Sequence, residues 1–89
     1  MGFYKKGEGF KAVLNGELNA YGKLPVNTSG GLKAKGHPVG ATGVGQIVTI
    51  TEQLRGIFKG CALKNPKCGL AHNLGGSGSS VVVTILEVV

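Results

Sequence analysis

Two histidines sit where this sequence could do chemistry. Residues 31–43 read GLKAKGHPVGATG, with His37 between a glycine and a proline, and residues 69–80 read GLAHNLGGSGSS, with His72 beside Asn73 and ahead of a glycine-rich stretch. Glycine, four residues and a second glycine is how a phosphate-binding P-loop begins, but such a loop continues with Lys and then Ser or Thr. Here His37 and Pro38 take those places. A neutral imidazole can accept a proton from a nucleophile or donate an N–H to a carbonyl oxygen. The glycines of the second loop leave backbone amides free to form an anion-holding nest. Each feature also has a plain reading, His37 as a capping or surface histidine and GGSGSS as an ordinary turn, because Gly and Ser dominate turns. Neither loop carries a nucleophile beside its base, so this chain cannot complete an acyl or phosphoryl transfer site.

The elements that must hold these loops follow from periodicity. Residues 1–22 are glycine-punctuated and mixed in polarity, which reads as loop with short extended pieces. Residues 23–27, KLPVN, form a short apolar run closed by TSGG, the pattern of a strand ending in a turn. Glycines 30, 31 and 36 around Lys33 and Lys35 permit left-handed backbone. Pro38 suits the first position of a helix, where its missing N–H is not needed. The run from 39 to 55 places apolar-type residues at 44, 47, 48, 51 and 54 and stops at Gly56, a C-cap residue, with Arg55 in the last turn. Its β-branched residues, Ile47, Val48, Ile50 and Thr51, would also suit a strand, but length and the proline start favour helix. Gly40, Gly43 and Gly45 each cost roughly 1 kcal/mol against alanine in a helix, which implies close approach by another part of the backbone. Strands are expected at 68–74 and 81–87, joined by the GGSGSS turn. The unit is α/β, in the order β-α-β-β. The continuous apolar run VVVTILE calls for cover on both faces, which one helix cannot supply.

Composition sets the bounds. At 89 residues the chain is one domain at most, small enough to bury only somewhat over ~60% of its unfolded surface, so a partner would stabilise it. Ten Lys and Arg residues against four acids give a net charge of +6. The positive charges are dispersed, and no helix-turn-helix or aromatic RNA-binding motif accompanies them, so nucleic acid is not the expected partner; a phosphate-bearing small molecule would feel the same potential. No apolar run approaches the ~20 residues that span a bilayer, and the start carries no apolar signal core, which makes the cytoplasm the default compartment and a membrane partner unexpected. Cys61 and Cys68 are too few for a disulfide framework or a zinc site, so both read as reduced, packed thiols and no metal is expected.

The ordered run NTSGGLKAKGHPVGATG, then QLRG, then GLAHNLGGSGSSVVVTILE closely resembles the C-terminal end of thiolases. Those enzymes form or cleave the carbon–carbon bond of 3-ketoacyl-CoA through an acyl-cysteine intermediate. The likeness is to the branch holding the sterol-carrier-protein thiolases and many archaeal and bacterial thiolases, and KKGEGF and YGKLPVN extend it over nearly the whole chain. The resemblance implies that His37 activates the nucleophilic cysteine as a base and helps hold the thioester or enolate oxygen. It implies that the Gly75 N–H contributes to an oxyanion hole, where loss of one donor costs ~10²-fold or more in rate. Asn73 falls where many thiolases carry a second, acid/base cysteine; the HN form resembles enzymes that draw that cysteine from an HDCF loop earlier in the chain. Cys68, five residues before Asn73, does not fit that role, and His72 reads as a structural or loop-supporting residue.

The departures matter equally. Neither the nucleophilic cysteine loop nor an NEAF or HDCF loop occurs in this sequence. Residues 1–89 are therefore expected to be an incomplete segment of the C-terminal half of the thiolase fold, whose complete form is layered α/β/α, with the nucleophile-bearing half absent. A fragment, a split-gene subunit or a truncated homologue would each look this way. The expected substrate is a coenzyme A thioester with no permanently bound cofactor. The expected partner is a larger thiolase polypeptide, or a second copy of the chain covering the open sheet edge. A non-catalytic module that binds acyl-CoA or a partner protein is the alternative.

Overall fold

The two runs near the C-terminus pair with each other across the intervening glycine-rich turn. In a computed structural model, which describes residues 2–89, they are β1 (Cys68–Gly75) and β2 (Ser80–Glu87). They form a two-stranded antiparallel sheet whose register runs from Cys68 opposite Glu87 to Gly75 opposite Ser80. Gly76 and Gly78 take positive φ, and the Gly75 carbonyl accepts the Gly78 N–H at 3.1 Å, which closes the hairpin.

Among the described residues three helices precede the hairpin: α1 (Gly9–Leu14), α2 (Gly31–Lys35) and α3 (Thr42–Arg55). The long helix begins three residues later than the run from 39 predicts, because Pro38 opens a turn instead of the helix itself. The Pro38 carbonyl accepts the N–H groups of Ala41 at 2.9 Å and Thr42 at 3.0 Å. Its end is as expected. Gly56 is left-handed at φ 73, its N–H reaches the Gln53 carbonyl, and the Ile57 N–H reaches that of Glu52, the paired bonds of a Schellman cap.

Three local expectations are corrected. Residues 23–27 are not a strand: the Leu24 and Val26 N–H groups bond the carbonyls of Glu17 and Leu18 at 2.8 and 3.1 Å, but Pro25 lacks the N–H to extend a ladder, and the segment folds back on a loop. The region read as loop contains α1, whose six residues are too few to display a helical period. Lys33 and Lys35 belong to α2, five residues flanked by left-handed Gly30 and Gly36 at φ 95 and 85; the left-handed glycines were foreseen and the turn of helix between them was not. The α/β class stands, with the first strand of the expected β-α-β-β order missing.

One face of the hairpin carries Gly69, Ala71 and Asn73 with Leu86, Thr84 and Val82, and α3 packs there. Gly69 admits the Ile50 side chain so closely that a Cβ would collide with it. The opposite face carries Leu70, His72, Leu74, Val81, Val83 and Ile85, and no element among the described residues covers it: Val83 is 47% exposed and Ile85 64%. The outer face of α3 is equally bare, with Val44 69% and Val48 50% exposed, so some of the apolar positions that marked the helix point outward. Cys68, on the uncovered hairpin face, is exposed rather than packed, while Cys61 is half-buried; both are free thiols. Among the described residues only Ala12 and Ala71 are buried apolar side chains. The accessible surface is 6834 Å², where a self-contained protein of 9.1 kDa exposes about 4,900 Å². The excess of about 1,900 Å² exceeds the ~800 Å² that one side of a standard interface buries.

Candidate functional site

His37 follows left-handed Gly36 and is exposed. Its Nδ1 lies 2.6 Å from Oγ1 of Thr42, the first residue of α3. Thr42 is buried, and its hydroxyl also donates to the Pro38 carbonyl at 3.1 Å. The Pro38 carbonyl thus gathers the Ala41 and Thr42 backbones and the Thr42 side chain into one rigid turn, and the imidazole hangs from it. Sequence reasoning missed Thr42. A hydroxyl five residues after the histidine, at the head of an amphipathic helix, was the available signal.

The second loop meets the first through α3. Gly43, next to Thr42, has the Asn73 amide packed against it: a Cβ at position 43 would stand 2.8 Å from Asn73 Nδ2. The expectation of a close backbone approach at Gly40, Gly43 and Gly45 is corrected: Gly43 is approached by the Asn73 side chain, and Gly40 and Gly45 face open space. Gly75 lies two residues beyond Asn73, so it shares that strand face, at the hairpin end. His37, Asn73 and Gly75 are thereby assigned to the end of the molecule where α3 begins. His72 is not: it lies on the opposite strand face, exposed, across from Val83.

Neither thiol belongs to this end. Cys68 is the first residue of β1 and Gly75 the last, about 23 Å apart at strand rise. The Cys61 carbonyl accepts from Gln53 at 2.8 Å, near the far end of α3. Two concave regions, of about 420 and 430 Å³, also lie there, around Leu54, Arg55, Leu63, Lys67, Leu86 and Val88. His37 itself is exposed to solvent. Among the described residues no three His, Cys, Asp or Glu side chains cluster as metal ligands, and no helix is long and apolar enough to cross a membrane.

A family profile described as "Thiolase C-terminal domain-like" matches residues 1–88. The chain belongs to the thiolase C-terminal domain family. It is 45% identical over 87 residues to a protein named acetyl-CoA acetyltransferase from Methanothermobacter thermautotrophicus, covering 98% of this chain and 23% of that one. It is 41% identical to sterol carrier protein 2 of Bos taurus, covering 98% of this chain and 16% of the relative, and 42% identical to non-specific lipid-transfer protein-like 2 of Caenorhabditis elegans, covering 92% and 20%. The chain thus spans less than a quarter of the length of these relatives. The thiolase resemblance drawn from the GHP and HN loops is the family found by comparison.

Proposed function

We propose that this chain is the C-terminal portion of a thiolase-type acyltransferase acting on acyl-CoA or 3-ketoacyl-CoA, and that it supplies His37 and Gly75 to a site completed by a polypeptide bearing the nucleophilic cysteine. The observation that carries the reading is the meeting of the two loops at one helix end: His37 on Thr42, and Asn73 on the adjacent Gly43.

The chemistry is that of acyl transfer through sulfur. The partner's cysteine S–H bond breaks and its proton passes to the His37 imidazole. The sulfur attacks the thioester carbon, and the carbonyl electron pair moves onto oxygen. The Gly75 N–H donates to that oxyanion, and its collapse expels the coenzyme A thiolate, which takes the proton back from His37. No permanently bound cofactor has a part in this sequence.

Three observations support incompleteness in isolation: both thiols belong to the far end of α3 and β1, His37 is exposed, and the accessible surface exceeds that of a self-contained protein of this mass. The isolated chain is accordingly inactive. The test is to purify the protein untagged from its native cells, determine the intact masses present, and assay thiolysis. Arrival with a larger chain or a continuous larger polypeptide, with thiolysis lost in His37→Ala while the assembly persists, is the expected result. A chain that arrives alone, folded, binding acyl-CoA without turnover, would establish the non-catalytic module instead.

A further inference from the structure

We infer that Thr42 is the positioning residue that fixes the tautomer of His37, holding the proton on Nδ1 and leaving Nε2 as the nitrogen that exchanges it. The inference rests on the reading of His37 as a base, but its decisive test does not depend on turnover.

The Thr42 hydroxyl has one proton and two close polar neighbours, His37 Nδ1 at 2.6 Å and the Pro38 carbonyl oxygen at 3.1 Å. If the hydroxyl proton pointed to an unprotonated Nδ1, Oγ1 and the Pro38 oxygen would face each other at 3.1 Å with no proton between them. If it points to the Pro38 oxygen, the imidazole must supply the other proton, as Nδ1–H donating to Oγ1. Only the second arrangement places a proton in both contacts. Thr42 is buried at the head of α3 and its backbone N–H is tied to the same Pro38 carbonyl, so the hydroxyl has little freedom to turn elsewhere.

The consequence is directional. In the neutral imidazole Nδ1 carries the proton and Nε2 has the lone pair. In the imidazolium both nitrogens are protonated and the Nδ1–H bond to Thr42 is unchanged. Proton exchange therefore takes place at Nε2 in both directions, and the ring need not flip during a cycle. Thr42 plays the orienting part that a third group plays behind a base–nucleophile pair, with a neutral hydroxyl in place of a carboxylate.

The test incorporates ¹⁵N-histidine into the protein in the assembly in which it is purified and reads the ring nitrogen shifts at a pH where the imidazoles are neutral. His37→Asn identifies the His37 signals. The expected result is a protonated, pyrrole-type Nδ1 and a pyridine-type Nε2, retained in Thr42→Ser and lost in Thr42→Val toward the Nε2–H tautomer. Where Thr42→Val does not fold, Thr42→Ala removes the hydroxyl without setting a methyl against the ring and is read the same way. An Nε2–H tautomer in the unaltered protein overturns the inference, and so does an Nδ1–H tautomer that survives loss of the hydroxyl. In thiolysis, Thr42→Val should lower kcat on the order of 10²-fold with KM little changed, and Thr42→Ser should restore it. An assembly that performs no thiolysis yet shows the Thr42-dependent tautomer would refute the acyltransferase reading and leave this one standing.

Discussion

The amide of Asn73 rests against Gly43, and this contact joins the strand that ends in the GGSGSS turn to the helix that begins beside His37. A Cβ at position 43 would meet Asn73 Nδ2 at 2.8 Å, too close without movement, but the obstacle is the end of a side chain that can rotate. Alanine also suits a helix better than glycine by up to about 1 kcal/mol, less in the first turn. Gly43→Ala should therefore leave stability within about 1 kcal/mol of the parent, measured by denaturant midpoint, while displacing the Asn73 amide and lowering thiolysis. Adding Asn73→Ala should make the pair at least as stable as Gly43→Ala alone. A large loss of stability in Gly43→Ala would mean that Asn73 has nowhere to turn.

His37 is exposed and makes one polar side-chain contact, so its removal should be nearly silent in stability. His37→Ala is expected to change the unfolding free energy by under about 1 kcal/mol and to cut thiolysis by the 10²- to 10⁴-fold typical of a lost general base. Parallel denaturation and steady-state kinetics on the same preparation check both halves.

Gln53 carries more of the structure than any other polar side chain described. It is buried, its Nε2 donates to the Cys61 carbonyl at 2.8 Å and to Thr28 Oγ1 at 3.2 Å, and its Oε1 accepts the Leu63 N–H at 2.9 Å. Gln53→Leu keeps the volume and leaves a carbonyl and an N–H without partners, a loss of about 2–4 kcal/mol. Gln53→Glu should also destabilise, because a carboxylate oxygen would then face the Cys61 carbonyl. Thermal or denaturant unfolding of both variants is the measurement, and a neutral Gln53→Leu would show that water reaches these groups.

Tyr4 donates to Glu17 Oε1 at 3.1 Å. Partial burial of the phenol, then this hydrogen bond and the carboxylate charge, hold its ionisation above the ordinary value of 10.0. A raised pKa means that the folded state favours the protonated phenol. The contact's contribution is thus fully present below pH ~10 and is lost as pH rises through the raised value. The phenolate absorbance titration should show one late tyrosine, absent in Tyr4→Phe; a Tyr4 that titrates at or below the ordinary value would contradict the contact.

The uncovered hairpin face should be an assembly surface. Ile85→Lys places a charge on a face that a partner would bury, so association with the nucleophile-bearing polypeptide should weaken more than tenfold, read by sedimentation or co-purification, with helix and strand content kept. Unchanged association would mean that this face is solvated in the functional state.

Where a residue's chemistry acts on its own neighbours, the sequence was sufficient. Gly56 ends α3 because a left-handed residue closes the last carbonyls, and the GGSGSS turn joins two short strand-forming runs, while the ordered residues of the GHP and HN loops carried the thiolase resemblance. The helix cap and the hairpin turn rest on interactions within a few residues. Tertiary structure decided the rest. Residues 23–27 look like a strand, but pairing with residues 17–18 requires a fold-back that no local signal encodes, and Pro25 prevents a ladder. The five and six residues of α2 and α1 are shorter than two helical turns, so their apolar positions cannot show a period. The buried roles of Thr42 and Gln53 depend on groups that folding brings to them: a histidine swung back over a turn, and chain from residues 28, 61 and 63. The bare faces of β2 and α3 were half legible, since an all-apolar run demands cover on both sides, yet which side stays open is set by where the single long helix packs.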